Sequence, residues 1–516
     1  MSGDYSRQRF DPRAHFAGVL MQQGRVQLDA DWNELVELLD RRLRAETVDL
    51  VSRGADPDIA GVAAVPRQTP DAFRIEAASG KITIGRGRMY VDGLLAENHG
   101  AGTDEFDALL VETRGKNAVP YDSQPYLPHP PALPRRGPHL AYLDVWQREI
   151  THLERPCLVE PAVGVDTTTR LQMVWQVRVL ADVGAGVTCL TPDAHVRGWL
   201  DLISPSSGRL STKAIGVKPS HDPCELPPTG GYRGLENQLY RVEIHDGGGV
   251  GQATFKWSRD NASVASRVAE VVSSHELRLE SFGRDAVLSF GTGDWVEIID
   301  EWRELTGEQG DPGRRHGEIR KITVDVARQT ITFSPDLPAD LVPSGTGSNT
   351  LETRRLRVRR WDQQGKVRDA SGNEYFDLDG GVSKGVIPAP AANTPLVLEK
   401  GVQVTFSLEA GGEFRCGDYW VFAARTADAS VETLTEAPPR GTHHHFARLA
   451  VVSFPDSESD CRMLWPPQIE GKGCDCTVCV TAESHASGAL TIQKAVDQVK
   501  ATGGTICLGA GAYQLG

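Results

Sequence analysis

The chain reads as a mainly β protein: several sandwich- or barrel-like domains behind an N-terminal helix, leading into a right-handed parallel β-helix. Three observations predict this. Short apolar runs, many of them alternating, recur between about residues 70 and 460 and are separated by Gly and Asp turns; Lys81–Ile84, Leu140–Trp146, Met173–Leu180, Tyr240–Ile244, Val402–Phe406 and Asp418–Ala423 are the clearest. The 516 residues exceed what one core serves, so roughly three to four domains are expected. The final stretch, Leu490–Gly516, passes from an amphipathic helix to a short strand and a Gly-rich turn.

Within that last stretch Thr491 is the expected N-cap, and Ile492, Ala495, Val496 and Val499 form one apolar stripe. Gly503-Gly504 stops the helix, Thr505–Leu508 reads as a buried strand, and Gly509-Ala510-Gly511 turns toward Tyr513. One coil of a solenoid cannot bury its own apolar face, so the coil begun here is expected to continue beyond the residues given.

At the other end a helix is expected from about Asp31, with Asp31 and Glu34 as a capping box and Trp32, Leu35, Leu39 and Leu43 as one apolar stripe. Gly54 and Pro57 end it. Two readings stay open: a helix packed on its own β domain, or an element docked into a neighbouring subunit. The remaining organisation is a docking segment and helix (1–60), a β domain with an extended, exposed Pro-rich linker at 120–138 (61–204), a second β domain (205–365), a third (366–470), and the cap and first coil of the β-helix (480–516). Asp92-Gly93 is a hairpin signal inside the first of these domains.

Composition narrows the function. A net charge of −14 argues against a general nucleic-acid binder, and no apolar run approaches the ~18 residues that span a bilayer. The start MSGDYSRQRFDP has no apolar signal core, so the chain is expected to be made in the cytoplasm and to reach the exterior by lysis or aboard a larger particle. Of nine cysteines, Cys157, Cys189, Cys224, Cys416 and Cys507 read as reduced core residues. Cys461, Cys474, Cys476 and Cys479 are closer together and leave zinc, a local disulfide and free thiols all open.

Catalytic signatures are missing. Gly247–Gly251 lacks the Lys-Ser/Thr of a phosphate loop, no G-x-S-x-G elbow occurs, and no carboxylate pair stands out among 69 Asp and Glu. His443-His444-His445 puts two imidazoles on one strand face with no acidic partner nearby in sequence. Lys256, Trp257, Arg259, Asp260 and Asn261 mix aromatic and polar groups as sugar sites do, but alternation assigns Phe255 and Trp257 to a core. Asn261-Ala262-Ser263 matches a glycosylation sequon with no secretory route to use it. No catalytic residue, cofactor or metal ligand is assigned.

Long motifs carry a resemblance. Gly18–Glu34 (GVLMQQGRVQLDADWNE), Leu143–Glu149, Asp166–Arg170, Gly230–Tyr240 and Phe255–Val264 resemble an uncharacterised module encoded beside extracellular contractile injection systems, the phage-tail-like particles of bacteria. The likeness runs to about residue 460, and the C-terminus resembles the cap and first coil of pectin-lyase-like β-helices. The resemblance implies a structural or accessory component at the baseplate or spike periphery, with other particle subunits as partners. It also leaves room for homo-oligomers and for a surface glycan met through the C-terminal region. Trp32, Leu35, Leu39 and Leu43 are the expected docking residues. The rival expectation is a polysaccharide lyase or hydrolase acting through the β-helix.

Overall fold

The computed structural model describes all residues except 1, 52–57, 60, 102–117, 136, 217–229, 284, 286, 307–315, 381–382, 392, 456, 467–475, 501–503, 510 and 515–516. Its β-sheet arrangement is nested rather than serial. The first body is centred on the strand Pro138–Ile150, which pairs antiparallel with Arg170–Leu180 on one side and with His445–Ser453 on the other. Ala63–Pro66, Gly87–Val91 and Leu94–Asn98 form a second sheet, closed at its edge by Leu464–Trp465 running parallel to Ala63–Pro66. Between these layers Phe73, Met89, Leu143, Trp175 and Leu449 make the core.

After residues 183–202, which still pack on Tyr142 and Phe446, the chain leaves this body and between Gly208 and Val431 builds a sandwich of two five-stranded sheets. Gly208–Ala214 pairs with Val402–Leu408 in one sheet, and Gln238–Ile244 lies between Thr254–Ser258 and Tyr419–Arg425 in the other. Their inner faces meet through aromatic side chains; Phe255 and Phe406 lie 4.7 Å apart, centroid to centroid, with Trp420 beside them. The sandwich in turn hosts a closed six-stranded barrel, Ala265–Trp361, with its own core of Val296, Ile298, Ile331 and Val358. Entry and exit lie side by side, since Ala265 pairs with Arg359.

Nesting corrects the serial division at 204/205 and 365/366: strands on both sides of each boundary share one sheet, because pairing partners some 150 to 300 residues apart leave no local mark. The mainly β class, with sandwich and barrel elements, is what the alternation predicts. Asp92 and Gly93 both take positive φ (46° and 82°), the two-residue hairpin turn expected from Asp-Gly. The 120–138 segment is not an exposed linker throughout. Tyr121, Gln124 and Leu127 are buried, and the Gln124 amide donates to the carbonyls of Tyr121 and Val177.

One disulfide is found among the described residues, Cys189–Cys461, bridging the segment after Arg170–Leu180 to the chain after Ser457–Asp460. Cys189 is therefore not a reduced core residue, and Cys461 pairs across the first body rather than within its local group. Cys224 and Cys474 lie outside the described residues, as do Gly54, Pro57 and Gly503.

At the C-terminus the helix Ile492–Val499 is capped by Thr491, whose hydroxyl accepts the Lys494 amide at 3.2 Å. Ala495 is buried but Val496 is exposed, so the stripe is covered only in part. Ile506–Leu508, which pairs parallel with Val478–Val480, is not the buried strand expected, Leu508 being exposed. Phe406→Ala should cost about 3–5 kcal/mol, because the sandwich core closes on that ring from several sides. Denaturant melts of the two proteins check this.

Candidate functional site

The helix Asp29–Val51, α1, begins two residues before the sequence places it. Asp31 caps it from within: its carboxylate accepts the Leu28 amide at 3.2 Å and pairs with Arg9. Asp29 fixes the preceding arm by accepting both the backbone amide and the hydroxyl of Ser6. The arm's first residues are threaded into the body. Asn261 donates to the Gly3 carbonyl at 2.9 Å, and the Tyr5 hydroxyl and Ser2 amide donate to Glu149. The sequon asparagine is thus a buried anchor.

α1 rests on the β bodies through its polar side. Glu34 is buried, Glu37 pairs with Arg440 at 2.8 Å, and Asp40 accepts from Gln147. Arg44 reaches His445 Nε2 at 3.0 Å, while His445 Nδ1 lies 2.9 Å from Asp92. One neutral tautomer satisfies both contacts, with Nδ1–H donating to Asp92 and Nε2 accepting from Arg44. Gly93 lets the hairpin come this close, since a Cβ there would sit 2.6 Å from the Arg44 carbonyl.

The apolar stripe therefore faces outward. Trp32, Leu39 and Leu43 are 59%, 50% and 63% exposed, and Leu35 is half-buried. The exposed arm ahead of α1 adds Phe16, Leu20, Met21 and Val26 to the same end of the chain. Scattered exposed apolar residues are ordinary; here the seven exposed ones just named fall within residues 16–43.

Beneath α1 lies a cavity of about 1280 Å³ whose walls are charged. On the sandwich side Lys256 is fully buried and sits 2.7 Å from Glu297 of the barrel and 3.2 Å from Glu243. From the first body Arg148 pairs with Glu301 and Glu304 of the barrel, and Glu304 also pairs with Arg357. Burial works against charge on Glu304, but Arg357 and Arg148 outweigh it and hold its pKa below the usual range. The barrel helix Glu301–Thr306 carries most of these contacts and seats Leu305 against Trp146 and Val174. Alternation correctly buries Phe255 and Trp257 but misses Lys256, whose charge is buried because two carboxylates face it.

In the histidine tract, His444 and His445 are held by carboxylates, whereas His443 is exposed. His444 is buried against Asp144 at 2.7 Å and lies over Trp146, so acidic partners exist, supplied by strands far away in sequence. A further group had no sequence signal. His245 and Asp246, just after Gln238–Ile244, meet His316 of the barrel with donor atoms within 4.8 Å of one another.

Residues 1–192 and 193–465 match a family of unknown function, DUF6519. The chain belongs to that family. No curated protein and no solved structure matches this DUF6519 member.

Asp260, at the sandwich–barrel seam, is pushed up to about 6 by burial and by the nearby Asp362 carboxylate, with Arg360 and Arg259 opposing. Because its folded value lies above its unfolded one, the native state holds this proton more tightly. Its contribution is favourable in acid and is lost as pH rises from about 4 to about 6, by roughly 2–3 kcal/mol. Asp260→Asn should therefore match the wild type near pH 4 and melt at a higher temperature at pH 7, which thermal scans across that range read directly.

Proposed function

We propose that this protein is a non-enzymatic subunit of a contractile injection particle, attached at the baseplate or spike periphery through the N-terminal arm and α1. The observation that carries the reading is the outward-facing apolar side of α1. A helix held by Glu37, Asp40 and Arg44 has turned its best burial surface to solvent. Covering Trp32, Leu35, Leu39 and Leu43 with a partner would contribute several kcal/mol at about 25 cal/mol per Å².

Support also comes from the likeness of Gly18–Glu34 and Phe255–Val264 to modules encoded with such particles. The rigid β bodies suit a carrier rather than a mobile enzyme, and the parallel pair Val478–Val480 with Ile506–Leu508 is what the first rung of a β-helix would contain. In this reading that coil begins an outward-projecting arm that meets neighbouring subunits or a surface glycan.

The double variant Trp32→Asp/Leu39→Asp should keep its melting temperature within a few degrees, because both side chains are exposed. Its occupancy in purified particles should fall at least tenfold. Particles carrying the variant at wild-type occupancy would contradict the docking assignment.

A further inference from the structure

The seam between sandwich and barrel contains a histidine–carboxylate contact with a second histidine beside it. His316 Nε2 lies 2.7 Å from Asp246 Oδ1, and His316 Nδ1 lies 3.2 Å from the Gly317 carbonyl. If Nδ1–H donates to that carbonyl, Nε2 presents a lone pair toward a carboxylate oxygen. Two acceptors do not rest at that distance unless a positive species lies between them, either a proton or a metal ion. His245 completes the group, its ring centroid 3.7 Å from that of His316 and its plane tilted by 39°.

We propose that His245, Asp246 and His316 form a divalent transition-metal site of the zinc class, independent of the docking surface. Two imidazoles and one carboxylate match the donor preference of Zn²⁺, Ni²⁺ or Co²⁺ rather than of Ca²⁺ or Mg²⁺, which favour all-oxygen shells. The supports of the ligands fit this role. The Gly317 carbonyl orients His316 in the tautomer that leaves Nε2 available, and Thr254 Oγ1 donates to the second oxygen of Asp246 at 2.6 Å. The His245 amide donates to the Thr254 carbonyl at 2.8 Å, which ties two ligands to one strand pair.

Tetrahedral ligation at 2.0–2.1 Å separates donor atoms by about 3.4 Å, so the group must adjust by roughly 1 Å from its present spacing. The side chains of Asp246 and His316 are 47% and 31% exposed, which provides that freedom and a way in for the ion. Three protein ligands leave a position for water. Because His316 belongs to the barrel and His245 and Asp246 to the sandwich, the bound ion would staple one body to the other.

The test uses the full chain, stripped with chelator and titrated calorimetrically with Zn²⁺, alongside Co²⁺ absorption spectra and melts. Wild type should bind about one equivalent saturably in the micromolar range, melt at a higher temperature when loaded, and give ligand-field bands without thiolate charge transfer. His316→Gln and Asp246→Asn, each at a partly exposed position, should lose that equivalent and weaken binding at least tenfold, whereas His443→Gln should retain it. Absence of saturable binding overturns the assignment, as does binding that survives both substitutions. A thiolate charge-transfer band in the wild type would place the ion on cysteines and overturn it without reference to any variant.

Discussion

A charged cavity beneath a helix sets the terms for the rest of this molecule. Lys256, Arg148, Arg357 and Glu297 are buried where the three β bodies converge, with Glu243 and the half-exposed Glu304 beside them, and α1 forms the roof. Removing one member of a buried ion pair typically costs about 3–5 kcal/mol, because its partner is left charged and dry. The convergence of the bodies is thus fixed by pairing as well as by packing. A roof over such a cavity must present polar groups to it. α1 does so with Glu37, Asp40 and Arg44, and the 3.6-residue period then sends Trp32, Leu39 and Leu43 to the outside.

The same constraint explains the nesting. The barrel contributes Glu297, Glu301 and Glu304 to the junction, the sandwich Lys256 and Glu243, and the first body Arg148. The short helix Glu301–Thr306 is the meeting point, with Leu305 as its one apolar foot on Trp146 and Val174. An insertion within an insertion can keep a fixed orientation only if its contacts reach back to the outermost body, and these do. The arm at residues 2–6 adds a second tie, running from Glu149 in the first body to Asn261 and Arg425 in the sandwich.

Local features were legible in the sequence. The Asp92-Gly93 turn, the Thr491 cap, the α1 stripe and most strands follow from short-range steric and periodic rules, which operate within a few residues. Pairing between Pro138–Ile150 and His445–Ser453 was not legible, because strands three hundred residues apart share no local signal. Nor was the burial of Lys256, since a lysine in an alternating strand reads as solvent-facing until two carboxylates from elsewhere neutralise it. The apolar stripe of α1 was visible, but whether it faced in or out depended on the charge of the surface below. His245, Asp246 and His316 stayed invisible for the same reason as the cavity: the third partner lies 70 residues away in another body.

The most direct test of the inside-out helix is cysteine accessibility on the free protein. Single substitutions at Glu34, Leu39 and Leu43 would be exposed to a maleimide and followed by peptide mass spectrometry. The account predicts rapid modification at positions 39 and 43 and slow modification at position 34, which is 9% exposed. Protection at 39 and 43 together with rapid modification at 34 would place the apolar face against the body and contradict the account.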